Sequence, residues 1–76
     1  MKKVVVYTSD TCPYCVAAKD FLNEHKVEFV ERNVTQSEEA RKELIEKGYR
    51  GVPVIVIGED EIVGFDKNKL TTLLGL

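Results

Sequence analysis

The 76-residue sequence predicts one α/β domain with the element order β-α-β-α-β-β-α. Three observations lead to this prediction. The first half of the chain has an apolar run, a helical pattern and a second apolar run, and a polar segment with helix-capping residues follows. Two further apolar runs around a turn then precede leucines repeated at helical spacing. Strands that alternate with helices favour parallel pairing, whereas runs around a short turn favour an antiparallel hairpin. We therefore expect a mixed four-stranded sheet flanked by helices.

The first half of the chain has the pattern of a strand, a helix and a second strand. Residues 2–7 (KKVVVY) are mostly β-branched or aromatic, which is typical of a buried strand. Pro13 suits the first position of a helix, because its missing N–H leaves no bond unmade there, and we predict a helix over 13–25. At about 100° per residue, its buried arc holds Tyr14, Cys15, Ala18, Phe21, Leu22 and His25. Residues 27–34 predict a second strand, parallel to the first and joined to it by a right-handed crossover.

The third quarter of the chain predicts a second helix within residues 35–48. Thr35 or Ser37 can cap its start, and Gly48 suits its end. Its apolar face is thin, so we expect it to pack on one side only. That face consists of Ala40, Leu44 and Ile45.

The end of the chain predicts a hairpin and a last helix. The apolar runs 52–57 and 61–65 flank a charged segment, which we interpret as a hairpin turn and not as a metal site. Asp66 can cap the last helix. In that helix leucines repeat at helical spacing: Leu70, Leu73 and Leu74.

Composition excludes several classes of function. The chain has 11 Lys and Arg against 13 Asp and Glu, a formal charge of −2, so it lacks the basic excess of a nucleic-acid-binding domain. The apolar run near its start spans only four residues, shorter than a signal-peptide core of about 7–15. No run approaches the roughly 20 apolar residues of a membrane span. We expect one domain over 1–76 that is cytoplasmic, monomeric and without a membrane partner.

The chemistry is predicted to reside in the segment CPYC, which holds both cysteines of the chain, Cys12 and Cys15. Cys12 falls at the predicted helix start, where free N–H groups and the helix dipole favour a thiolate. Cys15 lies one turn further, on the edge of the buried arc, at a Cα separation of roughly 5–5.5 Å that a disulfide accepts. This spacing predicts that Cys12 attacks a substrate disulfide and that Cys15 then resolves the mixed disulfide.

Other interpretations of the cysteine pair stay open. A zinc site needs four ligands, whereas the pair supplies two, and the only histidine, His25, is some 15–20 Å along the helix from Cys12. An inert pair of core cysteines is a further interpretation. The main alternative function is a homodimeric module that binds an iron–sulfur cluster through one cysteine per chain.

Three segments in this order resemble the glutaredoxin family of the thioredoxin superfamily: VVVYTSDTCPYC, GVPVIVIG and IVGFD. The resemblance spans nearly the whole chain and implies a thioredoxin fold and a dithiol–disulfide oxidoreductase. It implies disulfide-containing protein substrates, no metal and no tightly bound cofactor. It also implies that glutathione or a reductase serves as the electron donor, with glutathione as a possible reducing cosubstrate.

The resemblance further implies residue roles. Cys12 is the nucleophile and Cys15 the resolving thiol. The bond between Val52 and Pro53 is expected to be cis and to face Cys12, with the Val52 backbone offered to an extended substrate. The substrate-binding set implied by the resemblance is Tyr14, Arg50, Val52, Pro53, Gly64, Phe65 and Asp66.

Several of these residues have a simpler interpretation as well. Tyr14 either lines a substrate groove or rests on the domain, and Arg50 either receives a carboxylate or is only solvated. Phe65 also suits the core. Asp66 is already explained as a helix cap.

Two departures from the family pattern concern glutathione. Ser9 stands where many glutathione-using members have a lysine, and Val63-Gly64 replaces a Gly-Gly pair. Conversely, KGYRGVPV and GFD are similar to NrdH-type redoxins, which take electrons from thioredoxin reductase. The usual tail of that type differs from this one, so the sequence assigns no subfamily.

Overall fold

The computed structural model describes residues 3–49 and 51–76, and it has the predicted order of elements. The elements are β1 (Val4–Thr8), α1 (Pro13–Glu24), β2 (Val30–Asn33), α2 (Glu38–Glu46), β3 (Val54–Ile57), β4 (Asp60–Val63) and α3 (Lys67–Leu74). None of the helices within these described ranges combines the length and the apolar character needed to cross a membrane.

The four strands form one mixed sheet in the order β2-β1-β3-β4. β1 runs parallel to β2, whereas β3 is antiparallel to both β1 and β4. Tyr7 near the end of β1 pairs with Val54 at the start of β3, and Val54 pairs in turn with Val63 at the end of β4. The segment after β1, the segment before β3 and the segment after β4 therefore meet at one edge of the sheet.

The two faces of the sheet are covered unequally. One face packs against α1 and α3 and holds the larger core, whose buried members are Val4, Val6, Ala18, Phe21, Leu22, Ile55, Ile57, Ile62 and Leu70. The other face packs against α2 through a smaller cluster of Tyr7, Leu44 and Val54. The single-sided packing predicted for the second helix is thus confirmed, and α1 is supported by the larger core.

The helix ends follow the predicted capping residues. Ser37 caps α2, with its Oγ accepting from the Ala40 N–H at 3.3 Å, and Asp66 caps α3. Beyond the end of α2, Gly48 has φ of +90°, a left-handed conformation that favours glycine. The chain therefore turns sharply after α2, toward the segment that precedes β3.

Several details of the sequence prediction were wrong. In the hairpin, β3 begins at Val54 rather than at residue 52, and β4 is Asp60–Val63 rather than 61–65, so part of the charged segment lies in a strand and not in the turn. Tyr14 and His25, placed on the buried arc of the first helix, are both exposed, and so is Ile45 in α2. The second strand begins at Val30 rather than at residue 27. The preceding residues instead close the end of α1, where the Val27 N–H donates to the Leu22 carbonyl.

Candidate active site

Cys12 occupies the N-cap of α1, as the sequence predicted. Its backbone is extended, with φ of −103° and ψ of 106°, and its Sγ accepts a hydrogen bond from the Cys15 N–H at 3.2 Å. Pro13 follows as the first helical residue, where the missing N–H costs no bond. The Cys12 side chain is half-buried, so its sulfur is held by the helix end and is still reachable from solvent.

The segment before β3 lies directly against Cys12. The Cys12 thiol donates to the Val52 carbonyl oxygen at 3.5 Å, and the bond between Val52 and Pro53 is cis, as the resemblance implied. The Pro53 carbonyl accepts from the Gly64 N–H at 2.8 Å, and Gly64 has φ of +87°, which a residue with a side chain rarely adopts. Three segments that are far apart in sequence thus meet here: the Val52 segment contacts the Cys12 sulfur, and the Gly64 segment contacts Pro53 beside it.

Cys15 is one turn further along α1 and is almost fully buried, with 1% of its surface exposed. Burial first, and then the hydrogen bond and charge interaction with Cys12, raise the pKa of the Cys15 thiol to about 12. A hydrogen bond with the Ser9 backbone and the charge of Lys19 act in the opposite direction. Cys15 is therefore a protonated thiol at neutral pH, in contact with the half-buried Cys12 that it can later attack.

A polar chain that the sequence analysis missed runs from the end of β1 to α1. Thr8 is fully buried, and its Oγ1 donates to Glu31 Oε2 at 2.7 Å. Lys19, four residues after Cys15 on α1, donates to the same Glu31 oxygen at 2.9 Å. These two hydrogen bonds hold the pKa of Glu31 below its usual value, and the bond from Lys19 has the larger effect. The i+4 spacing of Cys15 and Lys19 was the available signal, but it did not identify Glu31.

The other predicted substrate-binding residues are distributed around the site. Tyr14, two residues after Cys12 in the first turn of α1, is 67% exposed. Phe65 packs edge-on against Phe21 with ring centroids 6.0 Å apart, which places it against the larger core. Asp66 Oδ1 accepts from the Lys69 N–H at 3.1 Å, as expected of a cap. Arg50 lies outside the described residues.

A second polar cluster, also missed, stands at the start of the segment that carries Val52. Tyr49 donates from its hydroxyl to Glu61 Oε1 at 2.7 Å, and Lys47 donates to Glu61 Oε2 at 3.1 Å. These two bonds hold the pKa of Glu61 below its usual value. Nothing in the sequence pairs these residues, since α2 and β4 meet only in the folded chain.

The described residues form no metal cluster at this end of the molecule, and a surface cavity lies at the other end. Within residues 3–49 and 51–76, no three His, Cys, Asp or Glu side chains come together as a metal site requires. The larger surface cavity, of about 870 Å³, is lined from the start of β1, the segment 26–30 and the end of α3. It lies at the opposite end of β1 from Cys12, so the candidate site is identified by its chemistry and not by a cavity.

Comparisons with known proteins agree with this site. The family model described as Glutaredoxin matches residues 4–62. A glutaredoxin of Pseudomonas aeruginosa is 43% identical over 67 residues, which cover 87% of this chain and 80% of that protein. The glutaredoxin-like protein NrdH of Lactococcus lactis is 34% identical over 70 residues, which cover 92% of this chain and 97% of that protein.

A solved structure matches the fold over the same length. The glutaredoxin-like NrdH-redoxin of Escherichia coli, described as having a thioredoxin-like activity profile, superposes with a TM-score of 0.85 at 28% identity. The match covers 93% of each chain. The sheet and helices described above are therefore those of a thioredoxin-type fold.

Proposed function

The chain belongs to the glutaredoxin family of thiol–disulfide oxidoreductases, and we propose that it reduces disulfides of proteins and small molecules through Cys12 and Cys15. One observation carries this proposal: the partly buried Cys12 holds its sulfur at the N-cap of α1, with the buried Cys15 one turn further along the helix. The mechanism needs only one copy of the chain.

In the first step, the Cys12 thiolate attacks one sulfur of the substrate disulfide. A bond forms between Cys12 Sγ and that sulfur, the substrate S–S bond breaks, and the other substrate sulfur leaves as a thiolate that takes a proton from solvent. The Cys15 N–H, 3.2 Å from Cys12 Sγ, holds the attacking sulfur at the start of α1, where the positive end of the helix dipole lies.

In the second step, Cys15 gives up its proton and attacks Cys12 Sγ. A Cys12–Cys15 disulfide forms, the bond between Cys12 and the substrate sulfur breaks, and that sulfur leaves with a proton as a thiol. Two of the causes that raise the pKa of Cys15 are its hydrogen bond and its charge interaction with Cys12. Both involve a sulfur that becomes neutral in the mixed disulfide. The first step therefore makes Cys15 easier to ionise, which orders the two reactions in time.

The substrate is proposed to lie along the segment that approaches Cys12 from β3. Val52 offers its backbone beside the reactive sulfur, Pro53 and Gly64 shape the adjoining turn, and exposed Tyr14 forms the opposite rim. An extended peptide on either side of the substrate cysteine can pair with this backbone as an added strand. Arg50, Phe65 and Asp66 remain proposed members of the same site.

The electron donor is proposed to be a reductase that acts directly on the Cys12–Cys15 disulfide, with glutathione used weakly. Ser9 cannot supply the cation that holds a glutathione carboxylate, and a hydrogen bond to a charged group contributes about 1.5–3 kcal/mol. Even the low end is roughly a tenfold difference in affinity. Val63, which is 62% exposed beside Gly64, adds a side chain where the glutathione backbone must come close. The NrdH-like relatives support the same choice of donor.

A coupled assay tests both parts of the proposal. NADPH oxidation is followed with insulin as substrate, and the protein is supplied either with thioredoxin reductase or with glutathione and glutathione reductase. We expect turnover with thioredoxin reductase and little with sub-millimolar glutathione. Efficient turnover with glutathione alone would overturn the choice of donor, and no turnover with either donor would overturn the proposed function.

A further inference from the structure

The carboxylate of Glu61 joins the end of α2 to the sheet. Glu61 lies in β4, opposite Val56 of β3. One of its oxygens accepts from the Tyr49 hydroxyl at 2.7 Å, and the other is 3.1 Å from Lys47 Nζ. Tyr49 and Lys47 both stand where the chain leaves α2, so one side chain of β4 fixes the start of the connection to β3.

The far end of that connection is the part that touches the reactive sulfur. Tyr49 precedes Val52 by three residues, and both pack against the smaller core cluster on the α2 face. The Tyr49 N–H also donates to the Leu44 carbonyl at 3.1 Å, which fixes its backbone on the helix end. Tyr49 is thus an anchored residue three positions before Val52, whose carbonyl oxygen is 3.5 Å from Cys12 Sγ.

We propose that Tyr49 and Glu61 are positioning residues, whose hydrogen bond places the Val52 backbone to receive the peptide chain of a protein disulfide. This inference rests on the proposed function, because it assumes that substrate lies along Val52. Lys47 has a minor part, since exposed ion pairs contribute little. A hydrogen bond from a tyrosine hydroxyl to a carboxylate is short and charge-assisted, and it fixes one geometry.

The chain offers a matched control for this proposal. Tyr7 also donates its hydroxyl to a glutamate, Glu43 of α2, at 3.2 Å, but this bond joins β1 to α2 and holds neither end of the segment from Tyr49 to Val52. Tyr7→Phe and Tyr49→Phe remove the same chemical group. A role in folding alone would be common to both variants, whereas a role in positioning belongs only to Tyr49.

The experiment measures the first chemical step in a Cys15→Ser background, where Cys12 is the only reactive thiol. Two probes share the leaving group thionitrobenzoate, whose release is followed by absorbance: one links it to the cysteine of a short peptide, the other to mercaptoethanol. Only the peptide probe has a backbone that can pair with Val52. The ratio of the two rates therefore reports backbone docking and is insensitive to the intrinsic reactivity of Cys12.

We expect Tyr49→Phe to slow the peptide reaction about fivefold, the size expected of one hydrogen bond, and to leave the mercaptoethanol reaction unchanged. Glu61→Ala should act in the same way, and the double variant should show no further loss. Glu61→Gln should retain the wild-type peptide rate, because its amide oxygen still accepts from Tyr49. Tyr7→Phe should change neither rate.

The proposal is overturned if Tyr49→Phe changes neither rate or both rates equally, or if Tyr7→Phe slows the peptide reaction as much. Both probes react with Cys12 whatever the physiological donor is. A negative result in the NADPH-coupled assay therefore counts against the proposed function but does not affect the comparison of the two probes. A ratio of peptide to mercaptoethanol rates that is the same in wild type and variants counts only against the role of Tyr49 and Glu61.

Discussion

The first turns of α1 and α2 are built in the same way from different atoms. In α2, Ser37 Oγ accepts the Ala40 N–H at 3.3 Å; in α1, Cys12 Sγ accepts the Cys15 N–H at 3.2 Å. Both caps have extended backbone and both receive the N–H three residues ahead. The geometry that ordinarily satisfies a helix end is thus used in α1 to hold a nucleophile.

The two caps share one backbone geometry and differ in the capping atom, oxygen or sulfur, and in the residues around it. The reactive site at α1 therefore differs from an ordinary helix cap only in these two respects. A hydroxyl cap contributes stability alone, whereas a sulfur cap gains charge stabilisation from the same N–H groups and helix dipole. At α1, the Val52 carbonyl approaches the cap sulfur at 3.5 Å, and Cys15 is buried beneath it. The predictions below separate capping from chemistry at the two helices.

The largest effect is expected for Cys12→Ser. Serine is a good N-cap, so the free energy of unfolding should stay within about 1 kcal/mol of wild type. Disulfide reduction should fall by at least about 10³-fold, because a hydroxyl does not replace the thiolate and Cys15 is buried with a raised pKa. Urea unfolding and the NADPH-coupled assay measure the two quantities. Residual turnover near the wild-type rate would show that Cys12 is not the nucleophile.

Cys15→Ser is expected to have the next largest effect. The first step should survive, because the cap sulfur is intact, but the mixed disulfide with a protein substrate should persist for want of an internal thiol. Stopped-flow kinetics should therefore show one fast turnover followed by arrest. Activity toward glutathione-linked substrates is expected to remain, since a second glutathione can release the product. Continued fast turnover of insulin would contradict the role of Cys15.

The pH dependence of stability should reveal the buried thiol. The pKa of Cys15 is raised from 9.0 to about 12 in the folded protein, so above pH 9 the unfolded chain loses this proton and the folded chain keeps it. Stability is then complete below pH 9 and declines as pH rises toward 12, by at most about 1.4 kcal/mol per unit.

Reduced wild type and Cys15→Ser should be unfolded in urea at several pH values between 8 and 10.5 to test this. Tyr7 and Tyr49 also have raised pKa values: burial is the largest cause for Tyr7, and the hydrogen bond to Glu61 is the largest cause for Tyr49. Both tyrosines therefore also lower the folding stability as pH rises. Both tyrosines are present in the two proteins, so the steeper decline of wild type isolates Cys15. Equal slopes would argue against a buried, protonated thiol.

The smallest effect is expected at the matching cap of α2. Ser37→Ala removes the hydroxyl that accepts the Ala40 N–H and should cost about 1 kcal/mol of unfolding free energy. Its rate of disulfide reduction should equal that of wild type, because Ser37 touches neither cysteine nor the segment that carries Val52. A lower rate of disulfide reduction at unchanged unfolding free energy would contradict the claim that the α2 cap contributes to stability alone.

The sequence predicted those features that depend on local pattern. The position of Cys12 at a helix start followed from Pro13, and the caps at Ser37 and Asp66 followed from residue type. Helical periodicity alone wrongly predicted that Tyr14 and His25 are buried, because the spacing of apolar residues does not show where a helix extends beyond the sheet. The first turn of α1 lies past the end of β1, and the exposed His25 at the other end has its ring tilted by 51° against Phe21, with centroids 4.5 Å apart.

Contacts that depend on register could not be predicted in this way. The bond from Tyr49 to Glu61 needs β4 beside the end of α2, and the bond from Lys19 to Glu31 needs β2 beside α1. Charged residues on an amphipathic surface have many possible partners, and a linear pattern does not select among them. The resemblance to a family placed Val52 and Pro53 beside Cys12, but it did not show what holds their segment in place.

The most direct test of the account is to locate the trapped substrate. Cys15→Ser is incubated with a protein disulfide under non-reducing conditions, quenched with acid, digested and mapped by mass spectrometry, with Cys12→Ser treated in parallel. The account predicts one substrate thiol attached to Cys12 in the first variant and no adduct in the second. An adduct on Cys15 of the second variant, or none on Cys12 of the first, would contradict it.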